Sequence, residues 1–448
     1  MNTKKPSPPK SSRGAAVDIL SNILENGAYA NIALRKALGE SSLDSRDKAF
    51  VTELVNETLR NLLSIDFTIN HFSKLPVPQM KPFIRNLLRI SVCQLRHIEK
   101  TPESAAVNEA VILAKLNGYS GLSGFVNGVL RTMVRQQNMP PYPAPGSHKY
   151  LAMRYSYPGW LAGRLEKWLG RDEALRFCQY SHQPPPVTVF VNTVKTTQSD
   201  LAARLTTEGV DSAAHGDDIL ILRQAGDISK LQSFQEGLFF VMDPGALWAI
   251  KALSLKPGHS VIDICAAPGG KSFAAACIMK NTGHVRAFDL HPHRTALIKE
   301  SVKRMGLSCI TPETKDALIY DPALEASADA VLLDAPCTGF GTIRKRPEIK
   351  YNRKPEDIVA LAEKQQQMLE IAAKYVKPGG VLVYSTCTVS REENIDNVRR
   401  FLQNHPFAIR PPELPAHEDV CYTLEDNCLQ ILPGTLNDGF FVATMVRM

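Results

Sequence analysis

The sequence predicts an α/β protein in three parts: a C-terminal domain on a doubly wound parallel sheet, an all-helical N-terminal domain, and a small α/β segment between them. Three observations lead there. From residue 255 onward, short β-branched apolar runs alternate with stretches of helical spacing, the pattern of a parallel sheet with crossover helices. Residues 13–135 repeat apolar positions at helical spacing without an alternating strand. Met139-Pro-Pro-Tyr-Pro-Ala-Pro-Gly146 is semi-rigid and cannot continue a helix, which marks a boundary. The expected segments are a disordered basic tail (1–12), a helical domain (13–138), a linker (139–150), the small α/β segment (151–254) and the sheet domain (255–448).

At 448 residues and 44% apolar, the chain is long enough for several real cores. No apolar run approaches the roughly twenty residues of a transmembrane helix, and residues 1–13 lack the apolar segment of a signal peptide. A cytoplasmic protein without a membrane partner is expected. The net charge of +7 suits a polyanionic partner. Nine cysteines without a secretion signal imply reduced thiols, and Cys421 and Cys428 are too isolated from histidine partners to suggest zinc strongly, so no metal is expected. Cys93, Cys178 and Cys277 read as small buried apolar residues.

In the helical domain, Ala16, Ile19, Leu20, Ile23 and Leu24 share one helix face, and Phe50, Leu54, Val55, Thr58, Leu59 and Leu62 another. Asp44 and Ser45 stand where an N-cap belongs, and Pro82 falls in the first turn of a helix whose apolar face includes Phe83, Ile84, Leu87 and Leu88. The bases Lys81, Arg85, Arg89, Arg96, Lys100, Lys115, Arg131 and Arg135 outnumber the acids Glu99, Glu103 and Glu109. Arg85, Arg89 and Arg96 lie at helical spacing and form one basic stripe, either a solvated face or a surface for a polyanion.

After the linker, helical patterns at 160–169 and 174–180 precede a strand at 187–192, a helix at 198–208 and short strands near 219–222 and 238–241. The sheet domain then reads as strands 261–265, 284–290, 330–334 and 381–385 with helices 271–279, 294–305 and 357–375, closed by an antiparallel hairpin of 429–432 and 440–446.

The first of those strands runs into a glycine turn and a helix: Ser260-Val-Ile-Asp-Ile-Cys-Ala-Ala-Pro-Gly-Gly-Lys271. Glycine lets the backbone approach a ligand, and the N–H groups of a helix starting near Lys271 favour an anion. The spacing is neither Gly-x-Gly-x-x-Gly nor Gly-x-x-x-x-Gly-Lys, which argues against a dinucleotide and for a shorter anion such as a carboxylate. Asp289 ends the next strand, about twenty residues past the turn, where an acid accepts hydrogen bonds from ribose hydroxyls. A nucleoside with a carboxylate tail, S-adenosyl-L-methionine, meets both demands, although doubly wound folds in general often carry a glycine turn and such an acid.

Two further strands end in cysteine motifs, Val331-Leu-Leu-Asp-Ala-Pro-Cys337 and Val381-Leu-Val-Tyr-Ser-Thr-Cys387. If they flank the first strand, both thiols open onto the cofactor crevice. Asp263-Ile-Cys-Ala-Ala-Pro-Gly-Gly-Lys271, Asp334-Ala-Pro-Cys-Thr-Gly-Phe-Gly-Thr342 and Tyr384-Ser-Thr-Cys-Thr388 closely resemble the RNA 5-methylcytosine methyltransferases of the Nol/Nop/Sun family, over roughly residue 237 to the C-terminus. Ser104-Ala-Ala-Val-Asn-Glu-Ala-Val111 and Phe125-Val-Asn-Gly-Val-Leu-Arg131 resemble NusB-like RNA-binding domains, so the whole chain looks like the bacterial 16S ribosomal RNA members of that family.

The resemblance implies a Rossmann-like S-adenosylmethionine-dependent methyltransferase domain, a NusB-like domain that positions RNA, and a ferredoxin-like segment beside the RNA channel. It places the cofactor on Cys265, Ala266, Ala267, Pro268, Gly269, Gly270, Lys271, Asp289, Asp316 and Asp334. It also assigns Cys387 as nucleophile and Cys337 as the residue assisting release, roles that spacing alone leaves open. Asp316 would equally serve to cap a loop. Carbon-5 of cytosine is a poor nucleophile, so a thiolate must first add at carbon-6, and nearby positive charge from Lys271, Arg344, Lys345 or Arg346 would ionise it. Asp334 in protonated form, or Lys271, would stabilise the charge that develops at N3. Residues 344–350 with Arg353 and Lys354 are expected to neutralise phosphates of 16S ribosomal RNA. Asp438-Gly-Phe-Phe441 matches a family motif, while Met242 and Ser272 depart conservatively from common glutamine and threonine. The expected protein is a monomer. The same residues would serve a sibling enzyme acting on transfer RNA or another ribosomal site, and loss of a cysteine or of the turn would have favoured a non-catalytic RNA-binding assembly factor.

Overall fold

Apolar residues at helical spacing become one buried core in the N-terminal part of the computed structural model, which describes residues 11–98, 102–136, 141–145, 147–216, 218–415 and 420–448. Residues 1–10 of the tail, Lys100, and positions 139, 140 and 146 of the linker lie outside the described residues. Helix Ser12–Asn26 starts at Ser11, whose side chain accepts the Gly14 N–H, and stops at Gly27 in the left-handed region (φ 70°). Helix Ser45–Arg60 is capped by Asp44, which accepts the Asp47 N–H at 2.7 Å. Pro82 opens helix Pro82–His97, where its missing N–H is not needed. Leu20, Ile23, Leu54, Leu59, Leu88 and Leu130 pack together from these helices and Ser123–Gln136.

The expected basic stripe dissolves into ion pairs. Arg89 is 9% exposed and grips Asp66 of helix Leu62–Phe72 through Nε and Nη2 at 2.8 and 2.6 Å. Arg85 pairs with Glu25 at 2.6 Å, and Arg96 is the exposed member of the three. Helical spacing does put these side chains along one helix, but neighbouring helices bring carboxylates to the same side.

Helices His148–Arg154, Gly159–Leu169 and Arg171–Ser181 belong to the same compact unit, which comprises Met1–His182 and Ile343–Lys354. The proline-rich stretch therefore does not separate them from the helices before it: Ser64 Oγ lies 2.8 Å from Tyr142 OH, and its N–H donates to Ser156 Oγ at 3.1 Å. The returning segment Ile343–Lys354 is built into this unit. Lys350 is 1% exposed and donates to the Arg60 and Tyr155 carbonyls at 2.9 and 3.1 Å, while Tyr351 OH donates to the Leu59 or Ser156 carbonyl. Arg344 is buried as well, so neither Arg344 nor Lys350 lies on the surface to meet phosphates; Lys345, Arg346 and Lys354 are exposed.

The second unit, Gln183–Thr342 with Pro355–Met448, carries two sheets. Strands β1 (Val187–Val191), β2 (Asp211–His215), β3 (Ile219–Arg223) and β4 (Phe239–Val241) form an antiparallel sheet in the order β2-β3-β1-β4. Leu201 and Leu205 of helix Gln198–Thr207 pack on its Val189, Val191 and Leu220. The larger sheet contains β5 (Ser260–Asp263), β6 (His284–Asp289), β7 (Ile310–Thr314), β8 (Ala328–Asp334), β9 (Val376–Thr386), β10 (Phe407–Arg410), β11 (Tyr422–Glu425), β12 (Cys428–Ile431) and β13 (Phe440–Arg447). Its order is β11-β12-β13-β9-β8-β5-β6-β7, with β10 also on β13.

Strands β5 to β9 are mutually parallel, and β13 closes the sheet antiparallel to β9. Successive residues alternate between two cores: Val261, Ala330, Leu332 and Val383 face one, and Ile262, Val331, Leu333 and Leu382 the other. The chain runs outward from β5 through β6 to β7 and returns to β8 on the other side of β5. The switch point, where such sheets bind ligands, therefore lies between β5 and β8 at their carboxyl ends. Among the described residues no helix is long and apolar enough to cross a membrane.

Candidate active site

Past the end of β5 the backbone stays stitched to its neighbours, with Ile264 N–H donating to Leu332 O at 3.0 Å and Ala266 N–H to Phe288 O at 2.7 Å. This holds residues 264–266 at the switch point. Gly269 has φ 107°, and a Cβ there would sit 2.2 Å from the Phe273 ring. Gly270, by contrast, faces open space at the start of helix Gly270–Ile278, whose first N–H groups have no carbonyl of their own helix. Beneath the turn Asp263 is 1% exposed; Oδ2 accepts from Ser272 Oγ at 2.6 Å, and Oδ1 is buried without a partner. Burial pushes its carboxyl up to about 7, against the pull of the Ser272 hydrogen bond. Burial, then the nearby Asp263, Asp334 and Asp289 carboxylates, push the Cys265 thiol up, which leaves it a neutral wall of the crevice.

Asp289 ends β6 and is 4% exposed; Oδ1 accepts the His291 N–H at 3.1 Å, and Oδ2 lies 3.2 Å from Arg294 Nη1. Arg294 also donates to Ala267 O at 2.8 Å, so it ties this carboxylate to the glycine turn. Asp316 stands two residues beyond β7, where Oδ1 accepts the Leu318 N–H at 2.9 Å and so caps its own turn. The open helix start, the orphaned Asp263 oxygen and the Asp289 carboxylate fit a nucleoside bearing both a charged amine and a carboxylate.

The register of β8 against β9 sets Asp334 opposite Ser385, three residues before Cys337 and two before Cys387. The two sulfurs are 3.4 Å apart. Asp334 accepts from Ser385 Oγ at 2.9 Å through Oδ1 and from Lys271 Nζ at 2.7 Å through Oδ2, and that ammonium also lies 5.0 Å from the Phe440 ring centroid. Burial alone would lower the Lys271 pKa, but the Asp334 carboxylate reverses the sign and holds it above the ordinary lysine value. The hydrogen bond with Cys387, and then burial, raise the Cys337 pKa above the ordinary thiol value.

Two glycines make room for this pair. Gly341 N–H donates to Cys387 O at 3.0 Å, and Gly439 N–H to Gly341 O at 2.9 Å. A Cβ on Gly341 would sit 2.2 Å from Gly439 O and 2.9 Å from Cys387 O, so three backbones cross there with no space for a side chain. Sequence reasoning passed over Asp263, Arg294, Gly341 and Gly439 as functional positions. An aspartate inside an otherwise apolar strand was a signal for the first; the others gain their meaning only from crossing segments. Among the described residues no cluster of three or more His, Cys, Asp or Glu is arranged to hold a metal ion.

Residues 10–135 match a model of the NusB family, residues 157–229 one of the ferredoxin-like domain of RsmF/B-like methyltransferases, and residues 250–446 one of the 16S rRNA methyltransferase RsmB/F. Over 444 residues the chain is 38% identical to the probable ribosomal RNA small subunit methyltransferase B of Bacillus subtilis strain 168, covering 97% of this chain and 98% of that one. The chain belongs to the 16S rRNA methyltransferase RsmB/F family. Its likeness to the corresponding probable methyltransferase B of Synechocystis is 33% over 447 residues, with 98% and 99% covered. The crystal structure of PH0851 matches with a TM-score of 0.82 at 28% identity, covering 99% of this chain and all of that one. As in the RsmB/F family models, the fold is a NusB-like helical domain, a ferredoxin-like segment and a Rossmann-like methyltransferase domain. The ferredoxin-like match begins at residue 157, in helices that pack within the first compact unit.

Proposed function

We propose that this RsmB/F-family enzyme transfers a methyl group to carbon-5 of a cytosine in 16S ribosomal RNA, as a cytoplasmic monomer, through a transient bond between Cys387 and carbon-6. The observation that carries this is the pair of thiols 3.4 Å apart at the ends of adjacent strands, beside the turn that suits the cofactor. Transfer to a nitrogen or oxygen needs no such pair, whereas carbon-5 of cytosine must first be made electron-rich.

In this reading the hydrogen bond between the sulfurs keeps the proton on Cys337, and the Lys271 ammonium interacts with the Cys387 sulfur, which favours Cys387 as thiolate. As that sulfur adds to carbon-6, electron density moves toward N3 and carbon-5. Of the two donors that the sequence leaves open for N3, the geometry favours Lys271, because both Asp334 oxygens already accept hydrogen bonds. Residues 265–271, Asp289 and Asp316 would hold S-adenosyl-L-methionine, which when bound would supply the methyl group. A base must then take the carbon-5 proton; the released electron pair re-forms the carbon-5–carbon-6 double bond and expels the Cys387 sulfur as thiolate, with the Cys337 thiol 3.4 Å away to assist its release by donating to it. Exposed bases of the helical unit, among them Arg96, Lys115, Arg131, Lys345 and Arg346, are proposed to meet RNA phosphates.

Bisulfite sequencing of ribosomal and transfer RNA from cells with and without the gene tests the reading. One protected cytosine in 16S RNA should disappear in its absence. Loss of a transfer RNA signal instead would move the substrate and keep the chemistry, while an unchanged pattern in both RNAs would contradict it.

A further inference from the structure

Behind the two thiols lies a carboxylate that the mechanism above does not use. Glu393 is fully buried. Its Oε2 accepts the Thr338 N–H at 2.9 Å and Gln365 Nε2 at 3.1 Å, and its Oε1 accepts the Thr338 hydroxyl at 2.5 Å. Thr338 Oγ1 is also 2.8 Å from Thr388 Oγ1. A carboxylate only accepts, so the Thr338 proton is spent on Glu393, and the hydrogen between the two hydroxyls comes from Thr388. The relay runs one way, from Thr388 to Thr338 to Glu393. Its first two members are the residues that follow Cys387 and Cys337.

The same carboxylate reaches the Cys337 loop by a second route. Gln365 Nε2 also donates to Pro336 O at 3.0 Å, and its Oε1 accepts from Asn397 Nδ2 at 2.9 Å, which fixes the amide. A buried carboxylate destabilises a fold unless fixed donors satisfy it, and here those donors include Thr338, next to Cys337, and Gln365 of helix Pro355–Tyr375, while the Cys387 segment is tied in through the Thr388 hydroxyl on Thr338. Among the described residues, the charged groups that face the sulfurs include Glu393 beyond the end of β9, Asp334 at the end of β8, and Lys271 on helix Gly270–Ile278, and the buried Tyr384 hydroxyl of β9 also faces Cys337.

We propose that Glu393 is the positioning residue of the thiol pair: through Thr338 and Thr388 it fixes the two cysteine loops against each other, and its charge keeps the shared proton on Cys337, leaving Cys387 to attack. This division of labour rests on the cytosine chemistry proposed above. The negative charge of Glu393 opposes a second one on Cys337, while Cys387 has Lys271 for a neighbour.

The test is alkylation of the native protein by iodoacetamide across pH, read at each cysteine by peptide mass spectrometry, with the fully buried Cys93 reporting unfolding. In the unaltered protein Cys387 should be modified ahead of Cys337. Glu393→Gln keeps an oxygen for the Thr338 N–H but loses the charge, so the lead of Cys387 should shrink roughly tenfold, the equivalent of about one pKa unit. Cys93 should stay protected, and modification of Cys337 should begin at lower pH. An unchanged ratio in the folded variant would overturn the proposal. Should Glu393→Gln also expose Cys93, Thr338→Val decides: it cuts the relay and keeps the charge, so the alkylation order should persist while kcat falls about tenfold at an unaltered KM. An unchanged kcat would refute the positioning role. Alkylation needs no methyl acceptor, so a protein found to methylate something other than cytosine would leave the first result standing.

Discussion

Lys271 is partly buried and Lys350 fully buried, one in each compact unit, and their surroundings make different groups of them. Lys271 meets the Asp334 carboxylate at 2.7 Å, which holds its pKa above the ordinary value. Lys350 donates to two backbone carbonyls and lies 4.9 and 5.4 Å from the ring centroids of Tyr157 and Tyr351; burial lowers its pKa to about 7. A carboxylate partner preserves a buried charge, whereas carbonyls and ring faces hold a side chain without securing its proton. Arg89 adds the remaining case. Its bidentate Asp66 is a carboxylate too, but the pair is closed between helices, so the charge is structural. Charge becomes chemistry only where the pair also opens onto a crevice.

The comparison breaks most visibly at Arg89. Arg89→Ala leaves the partly buried Asp66 without its bidentate partner, which should destabilise the helical unit by about 3 kcal/mol, against at most about 0.5 kcal/mol for the exposed Arg96→Ala. Urea unfolding of both variants checks this, and equal losses would mean that the stripe is a surface feature after all. Next comes Lys271→Met, expected to lower kcat for methyl transfer about 10²–10³-fold, by loss of a preorganised donor at the developing charge. Single-turnover rates with saturating RNA measure it, and a loss confined to cofactor affinity would reduce Lys271 to a binding residue.

The pH response of the two lysines sharpens the contrast with the smallest effect. For Lys350 the folded-state pKa lies below the ordinary value of 10.5, so between about pH 7 and that value the unfolded chain binds a proton that the folded chain does not. Stability should therefore rise with pH, by about 1–2 kcal/mol between pH 7.5 and 9.5 relative to Lys350→Met. Lys271 has the opposite sign: its contribution is complete below the ordinary pKa and is lost only as pH rises through the higher folded value. Parallel unfolding midpoints for the unaltered protein and Lys350→Met across this range would show that Lys350 is not buried as a neutral amine.

Much of this was legible in the chain because a parallel strand covered on both faces reads as an apolar run, and the turn at its end is local. Residues 260–271 and the two cysteine strands are of that kind. Strand β7 is not, since Ile-Thr-Pro-Glu-Thr lacks an apolar run and is recognisable only from its pairing with β6. Lys271 and Asp334 are 63 positions apart, and Lys350 and Arg60 are 290 apart. Such partners are chosen by crossovers that composition and spacing do not encode. For the same reason the bases at 344 and 350 read as a surface run although the segment folds into the helical unit, and Arg85 and Arg89 read as a stripe although Glu25 and Asp66 come from other helices.

The central claim is that the two thiols are unequal, and incubating single mutants with RNA and cofactor before denaturing gel electrophoresis tests it most directly. Cys337→Ala should still add Cys387 to the base and transfer the methyl group but stall before release, so a protein–RNA adduct should accumulate. Cys387→Ala should form no adduct and transfer no methyl group. A stable adduct with Cys387→Ala and none with Cys337→Ala would reverse the assignment, and no adduct with either would contradict covalent catalysis by this pair.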